Sequence, residues 1–252
     1  MNTIYAMTKR LIYIFLLLIA ALNGQAQLNA TKIIYKAEYV GIAENQVSQS
    51  AEQKEIQKQY KENFAKLKLE MSFNNNLFLF QPIQVLEESG NMYHDLASSK
   101  ATGNKIHYKD FNTNEAFYKT EFQGDDFIVK TGKENFNWTI TSESKAIGGF
   151  KCLKANGFRK IPSSMFTPEK NITIEAWFCP EIPMSIGPCG YDGLPGVILS
   201  VASNNILIYA SEIQPNQKIE IKKPEAKTHY DNEKDFQTVI LKKFNQFKNS
   251  RG

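Results

Sequence analysis

Reactive side chains are scarce in this 252-residue chain, which has three cysteines, three histidines and two tryptophans. The histidines, His94, His107 and His229, stand far apart, and none falls in an HExxH or His-x-His spacing. No zinc motif is therefore written in the sequence, and no metal or cofactor is expected. A GxSxG elbow for a serine nucleophile is missing, as is a Gly-rich phosphate loop. Cys152 lacks the flanking residues that mark a cysteine protease. The acidic pairs Glu87–Glu88 and Asp125–Asp126 lie beside turn residues and read as solvated loop charge, not as an acid–base couple. An excess of one sign of charge is lacking too. Thirty basic residues face 26 acidic ones, a net charge of +4, which is too balanced for a nucleic-acid partner. These absences lean away from an enzyme.

Long apolar runs are missing beyond the first 26 residues, so no later segment is expected to cross a membrane. Within those 26, Lys9 and Arg10 precede the uncharged run Leu11–Leu22, and Gly24 and Ala26 occupy the small positions of a cleavage site. That is the layout of a secretory signal peptide, and it is too short to span a bilayer, which needs roughly 20 apolar residues. The expectation is a leader over 1–26, a mature chain starting at Gln27, and one β-rich domain over 27–252. Export to the periplasm, the cell envelope or the medium follows from the same leader.

What the chain does have is alternation. In 32–40, Ile33, Tyr35, Ala37 and Tyr39 share one face; in 67–73, Leu67, Leu69, Met71 and Phe73 do. Period two of this kind is a half-buried strand. Asn74–Asn76 then reads as a hairpin turn into 77–81. Further strands are expected at 105–111, 115–122, 126–131, 136–141, 149–156, 171–178, 197–202, 205–213 and 218–222. His107 is expected to point outward. Two segments have helical spacing instead. Ile56, Tyr60, Phe64 and Leu67 form a stripe over about 50–66, with Ser50 and Gln53 as a capping box. Phe236, Val239, Ile240, Phe244 and Phe247 mark an amphipathic helix over about 232–247, capped by Asp231 or Asn232, after a polar linker at 222–234. The fold expected is mainly β: a single curved antiparallel sheet or partly closed barrel, with these two helices.

Seventeen phenylalanines and eleven tyrosines mostly fill such a core. Trp138 and Trp177 lie in strands, and a concave, partly filled sheet would offer them to an apolar ligand. Between the strands ending at Cys179 and starting at Val197 lies a stiff Pro/Gly segment. Pro180, Pro183 and Pro188 forbid regular ladder pairing. Gly187, Pro188, Gly193, Pro195 and Gly196 are its turn residues, and Leu194–Val197 reads as a type II turn. A stiff loop is either a corner or a binding surface. As a surface it would present Pro183, Asp192, Leu194 and Pro195, together with the two tryptophans. Two disulfides are open: Cys179–Cys189, closing a short loop, or Cys152–Cys179, across neighbouring strands.

Residues 137–155 (NWTITSESKAIGGFKCLKA), 174–199 (IEAWFCPEIPMSIGPCGYDGLPGVIL) and the basic C-terminal helix resemble the GLPGLI family, over roughly 30–240. The naming motif stands here as Gly193-Leu194-Pro195-Gly196-Val197-Ile198, with valine in place of leucine. The resemblance implies a secreted or periplasmic protein, mainly of Bacteroidetes, with no assigned activity. Cys152 fits the family pattern. Cys179 and Cys189 depart from it, which supports an added Cys179–Cys189 link. The functional expectation is a non-catalytic exported binding or accessory protein whose partner is an apolar small molecule or an outer-membrane protein. The alternatives are a hydrolase working near 183–196 and a structural envelope protein.

Overall fold

The alternating runs pair one after another into one continuous sheet. The computed structural model describes residues 30–41, 50–132, 136–161 and 170–249; the leader at 1–26 lies outside them. The strands are β1 (Ala30–Tyr39), β2 (Lys68–Phe73), β3 (Leu77–Pro82), β4 (Ile106–Asp110), β5 (Glu115–Phe122), β6 (Asp125–Thr131), β7 (Thr139–Ile147), β8 (Phe150–Ile161), β9 (Lys170–Cys179), β10 (Val197–Ser203), β11 (Ile206–Gln217) and β12 (Thr228–Tyr230). The helices are α1 (Ala51–Lys66), α2 (Met92–Thr102) and α3 (Glu233–Asn249). All twelve strands belong to one sheet, in the order β12-β6-β5-β4-β3-β2-β1-β11-β10-β9-β8-β7, which does not close on itself. The mainly β, single-sheet architecture is as expected. Every pairing is antiparallel except β12 with β6, which is parallel.

Side-chain parity gives the sheet an inner face. Ile33, Tyr35 and Ala37 of β1, Leu69 and Met71 of β2, and Phe80 of β3 are buried at 0% exposure. Each large apolar side chain so enclosed contributes about 1.5–3 kcal/mol. Directly paired residues share a face, so the inner face can be followed from strand to strand. Phe80 pairs with His107 and His107 with Tyr118. On the other side, Ala176 pairs with Ala155 and Ile172 with Arg159. Helices α1 and α2 cover this face beside β1, where Phe64 packs on Tyr39 with ring centroids 5.7 Å apart. Helix α3 covers it beside β5 and β6, where Phe236 meets Phe127 at 5.5 Å and Tyr118 at 6.3 Å.

The local signals for the two expected helices are in place. Ser50 Oγ accepts from the Gln53 backbone N–H while Gln53 Oε1 accepts from that of Ser50, a complete capping box. Asn232 Oδ1 accepts from the Asp235 N–H at 2.9 Å and caps α3. Side-chain placement of Phe247 lies outside the described residues. Three elements differ from the sequence reading. Helix α2 is additional, β12 sits inside the stretch read as a linker, and 218–222 is not a strand.

The Pro/Gly segment lies on the inner face and packs on β3 and β4. Val197 N–H donates to Ile182 O (3.0 Å) and Ile198 N–H to Ile186 O (2.9 Å), so the segment folds back along β10. Tyr35, at the centre of the core, donates to Ile198 O at 2.8 Å. Leu194–Val197 is not the type II turn expected. Gly196 has φ +159, and its N–H bonds the Leu194 carbonyl at 2.9 Å. A type II turn needs φ near +80° at that place. The glycine answers to crowding instead: a Cβ there would lie 2.2 Å from the Cys179 carbonyl oxygen.

The Cys179–Cys189 link is not formed; Cys152, Cys179 and Cys189 are all free thiols. The segment carries Cys189 across the inner face, where its thiol donates to Ala101 O in α2 at 3.3 Å. Cys179 stays buried at the end of β9. Its neighbour there is Cys152, since β8 and β9 pair Leu153 with Phe178 one step earlier in the ladder.

Candidate functional site

One end of the inner face is not apolar. The parity that puts His107 inward also puts Lys109 inward, opposite Phe78, and Lys105 stands two residues before His107. Across the sheet, Arg159 is inward beside Ile172. Strands β4 and β8 are the fourth and eleventh of the twelve, yet both contribute to one hollow of about 490 Å3. The sheet therefore curls far enough to bring its distant strands to the same space. A floor of Ile172, Ile174, Val201 and Ile208 is apolar, and Ser185–Asp192 of the Pro/Gly segment forms one wall. Among the described residues, five cationic side chains, Lys100, Lys105, Lys109, Arg159 and Lys170, line the hollow with two carboxylates, Asp192 and Glu233.

Several of these charges are held in place. Lys105 pairs with Glu233 at 3.3 Å and lies 3.8 Å from the Tyr118 ring centroid. Lys109 approaches Asp192 at 3.9 Å. Lys100 caps the rings of Tyr39 and Tyr60 at 5.0 and 4.9 Å. The Tyr118 hydroxyl donates to Glu233 at 3.4 Å. Burial and the carboxylate of Glu233 both keep that phenol protonated.

His107 sits between the cations with its ring against the backbone of Gly190. A Cβ on Gly190 would fall 2.8 Å from His107 Nδ1, and Gly190 has φ +79. Only glycine meets both conditions. Burial, then the charges of Lys105 and Arg159, lower the imidazole pKa to about 3. Burial pushes the neighbouring Cys189 thiol up to about 12, against the opposing pull of Arg159. At neutral pH both groups are uncharged. A thiol with so high a pKa is not a nucleophilic thiolate, and an imidazole with so low a pKa is a poor general base. The arrangement suits binding: fixed cations, a neutral imidazole able to donate or accept, and apolar walls.

The residues singled out in the sequence are dispersed by the fold. Asp192 does line the hollow, as does Gly187. Trp138 stands behind the wall, donating from Nε1 to Asp192 O at 2.8 Å and packing on Phe136 with centroids 5.4 Å apart. Leu194 and Pro188 are buried, and Leu194 belongs to the core. Pro183, Gly193 and Pro195 are on the exposed side of the segment. Gly193 N–H donates to Ser185 Oγ at 2.8 Å. Trp177 lies on the opposite face of β9 from Ile174, donates to Glu175 (3.1 Å) and is covered by Lys145 at 4.1 Å. The two tryptophans thus do not share a surface.

His107 is the one contradiction at the site, since it points into the hollow and not outward. His94 belongs to α2. His229 belongs to β12, where its Nε2 lies 3.0 Å from Ala226 O. The cations at 105, 109, 159 and 170 carry the chemistry of the hollow, and the sequence reading passed over them. Among the described residues, no three His, Cys, Asp or Glu side chains converge on a metal position, and no helix is long and apolar enough to cross a membrane.

Comparison with known proteins adds little chemistry. Residues 138–200 match the model of a family described as "Protein of unknown function (Porph_ging)". The match begins at Trp138, runs through the Pro/Gly segment and ends in β10. No curated protein matches. Two solved structures of PNGF-II, in the C2 and P21 space groups, resemble the chain at TM-scores of 0.49 and 0.48, each with 16% identity over 85% of its length. The chain spans about a third of those proteins, 33% and 34%.

Proposed function

We propose that this chain is an exported, GLPGLI-type binding protein of the periplasm or cell envelope, which holds a small molecule in the hollow and does not transform it. The observation that carries this reading is the hollow of about 490 Å3, walled by cations and aliphatic side chains around an uncharged imidazole. Sites for small molecules are typically concave and largely apolar, with a few placed polar groups, at volumes of about 300–1,000 Å3. The leader-like residues 1–26 support export, and the Gly193–Ile198 motif inside the matched stretch supports the family. Native mass spectrometry of the protein taken from the envelope of its own cells tests the reading. A bound small molecule released on denaturation is the expected result, on a chain whose first residue is Gln27. A ligand-free chain retained in the cytoplasm overturns it.

A hydrolase is the second reading, because His107 and Asp192 line one hollow beside the Pro/Gly segment. It requires turnover that disappears in both His107→Ala and Asp192→Asn. The low pKa of His107 and the Lys109 contact of Asp192 weigh against it.

A further inference from the structure

We infer that the Lys105–His107–Arg159 end of the hollow is a subsite for the carboxylate or phosphate of an amphiphilic anion, whose apolar body lies on the aliphatic floor. The inference rests on the proposed binding role and names the ligand class for it.

The inner face of a curled sheet is where apolar side chains are expected, and over most of this sheet they are found there. At this end the same parity delivers Lys105, His107 and Lys109 from one side and Arg159 from the other. Strands β4 and β8 stand seven positions apart in the sheet order, yet both groups line the hollow. Aliphatic side chains of β9, β10 and β11 (Ile172, Ile174, Val201 and Ile208) continue directly from the cations. A polar end joined to an apolar floor is complementary to a molecule with one anionic group and one apolar body.

Glu233 and Asp192 balance part of the cationic lining, through Lys105 and Lys109. Among the described lining residues, five cations stand against two carboxylates. A carboxylate or phosphate between Lys105 and Arg159 would join this set by accepting charge-assisted hydrogen bonds from both. His107 adds a neutral donor at the same place. The groups that face it are Lys105, Arg159, Tyr118 and the Cys189–Gly190 backbone turn. Lys105 and Arg159 are the charges among them, and both oppose protonation. An anion bound here opposes them in turn, and raises the imidazole pKa.

The test uses the full mature chain at neutral pH with four probes: decanoate, decyl phosphate, decanol and inorganic phosphate, titrated by calorimetry. One or both of the amphiphilic anions are expected to bind at least about tenfold tighter than decanol and than inorganic phosphate. Their relative affinities distinguish a carboxylate from a phosphate source. The double variant Lys105→Gln/Arg159→Gln is expected to lose about tenfold or more in anion affinity and to keep its affinity for decanol, while Lys58→Gln on the exposed face of α1 changes neither. NMR titration of the His107 ring is expected to move upward in the complex. Should the double variant not fold, the comparison among probes on the unaltered chain, with the His107 titration, still decides. Decanol binding as tightly as both anions overturns the subsite and leaves the binding role standing. Inorganic phosphate binding as tightly as decyl phosphate overturns the amphiphile. No binding by any probe overturns the subsite and counts against the hollow as a binding site.

Discussion

At the scale of single residues, close contact limits which positions of the Pro/Gly segment tolerate change, and at Gly190 a left-handed backbone adds to it. Gly196 is buried, and an added Cβ would stand 2.2 Å from the oxygen and 2.6 Å from the carbon of the Cys179 carbonyl. Both are backbone atoms at the start of the same segment, so neither can rotate away. Gly196→Ala is expected to cost about 1–3 kcal/mol, seen as a lowered urea midpoint with an unchanged slope. Pro195, its exposed neighbour, is expected to cost under about 1 kcal/mol as Pro195→Ala, because little is packed against it. Equal losses in the two variants would show that the segment is not wedged against Cys179. Gly190→Ala poses a different test. Its Cβ would meet His107 Nδ1 at 2.8 Å, a side-chain atom that can move. Displacement of the ring toward solvent is expected to raise the His107 pKa, which proton NMR reads directly.

At the scale of elements, local chemistry and long-range pairing contribute unequally. Helix α1 is set by its own ends and one buried apolar residue, Phe64. Removing the cap as Ser50→Ala is expected to cost about 1 kcal/mol, and a loss below about 0.2 kcal/mol in thermal unfolding would show that tertiary packing alone holds the helix. That helix, the Asn74 hairpin and strands β1 to β6 were legible because their period, caps and turn residues lie within a few positions of one another. Helix α2 was not. Its sequence, MYHDLASSKAT, has Ala97 as its one fully buried apolar side chain, while Met92 and Leu96 are 68% and 45% exposed, so its apolar stripe is faint. Strand β12 was hidden for another reason: three residues, THY, gain strand character only from β6 beside them. The site suffered from parity. In KIHYKD the apolar residues Ile106 and Tyr108 suggest the inner face, yet Lys105, His107 and Lys109 occupy it. A one-residue change of parity exchanges every side chain between faces. Hydrophobicity misassigns it where the inner face borders a hollow and not a filled core. Pairing with Phe80, not composition, fixes the orientation of His107.

At the scale of the whole molecule, the curl of the sheet links the hollow to stability. The imidazole of His107 lies in the hollow lined by β4, β8, the Pro/Gly segment and the first residue of α3, and it is freed when these part. Its pKa is lowered to about 3 in the fold, against about 6.5 in an unfolded chain. Between those two values the unfolded chain binds a proton that the folded one refuses, so stability falls as the pH falls. The contribution is complete above about pH 6.5 and is progressively lost on acidification toward about pH 3, with a slope of about 1.4 kcal/mol per pH unit for one proton. Carboxylates with lowered pKa, Asp110 beside Lys223 and Glu88 beside Lys66, change stability in the same direction. Their contribution is lost only below the unfolded carboxylate range, about pH 4, whereas that of His107 is lost from about pH 6.5 downward. The decisive measurement is a difference between the parent and a His107 variant. Urea unfolding of the parent and of His107→Gln, compared at pH 6.5 and pH 5, is expected to show a loss on acidification in the parent that shrinks by about 1–2 kcal/mol in the variant. Equal losses would mean that His107 takes up its proton in the folded state, with the hollow open to water at that end.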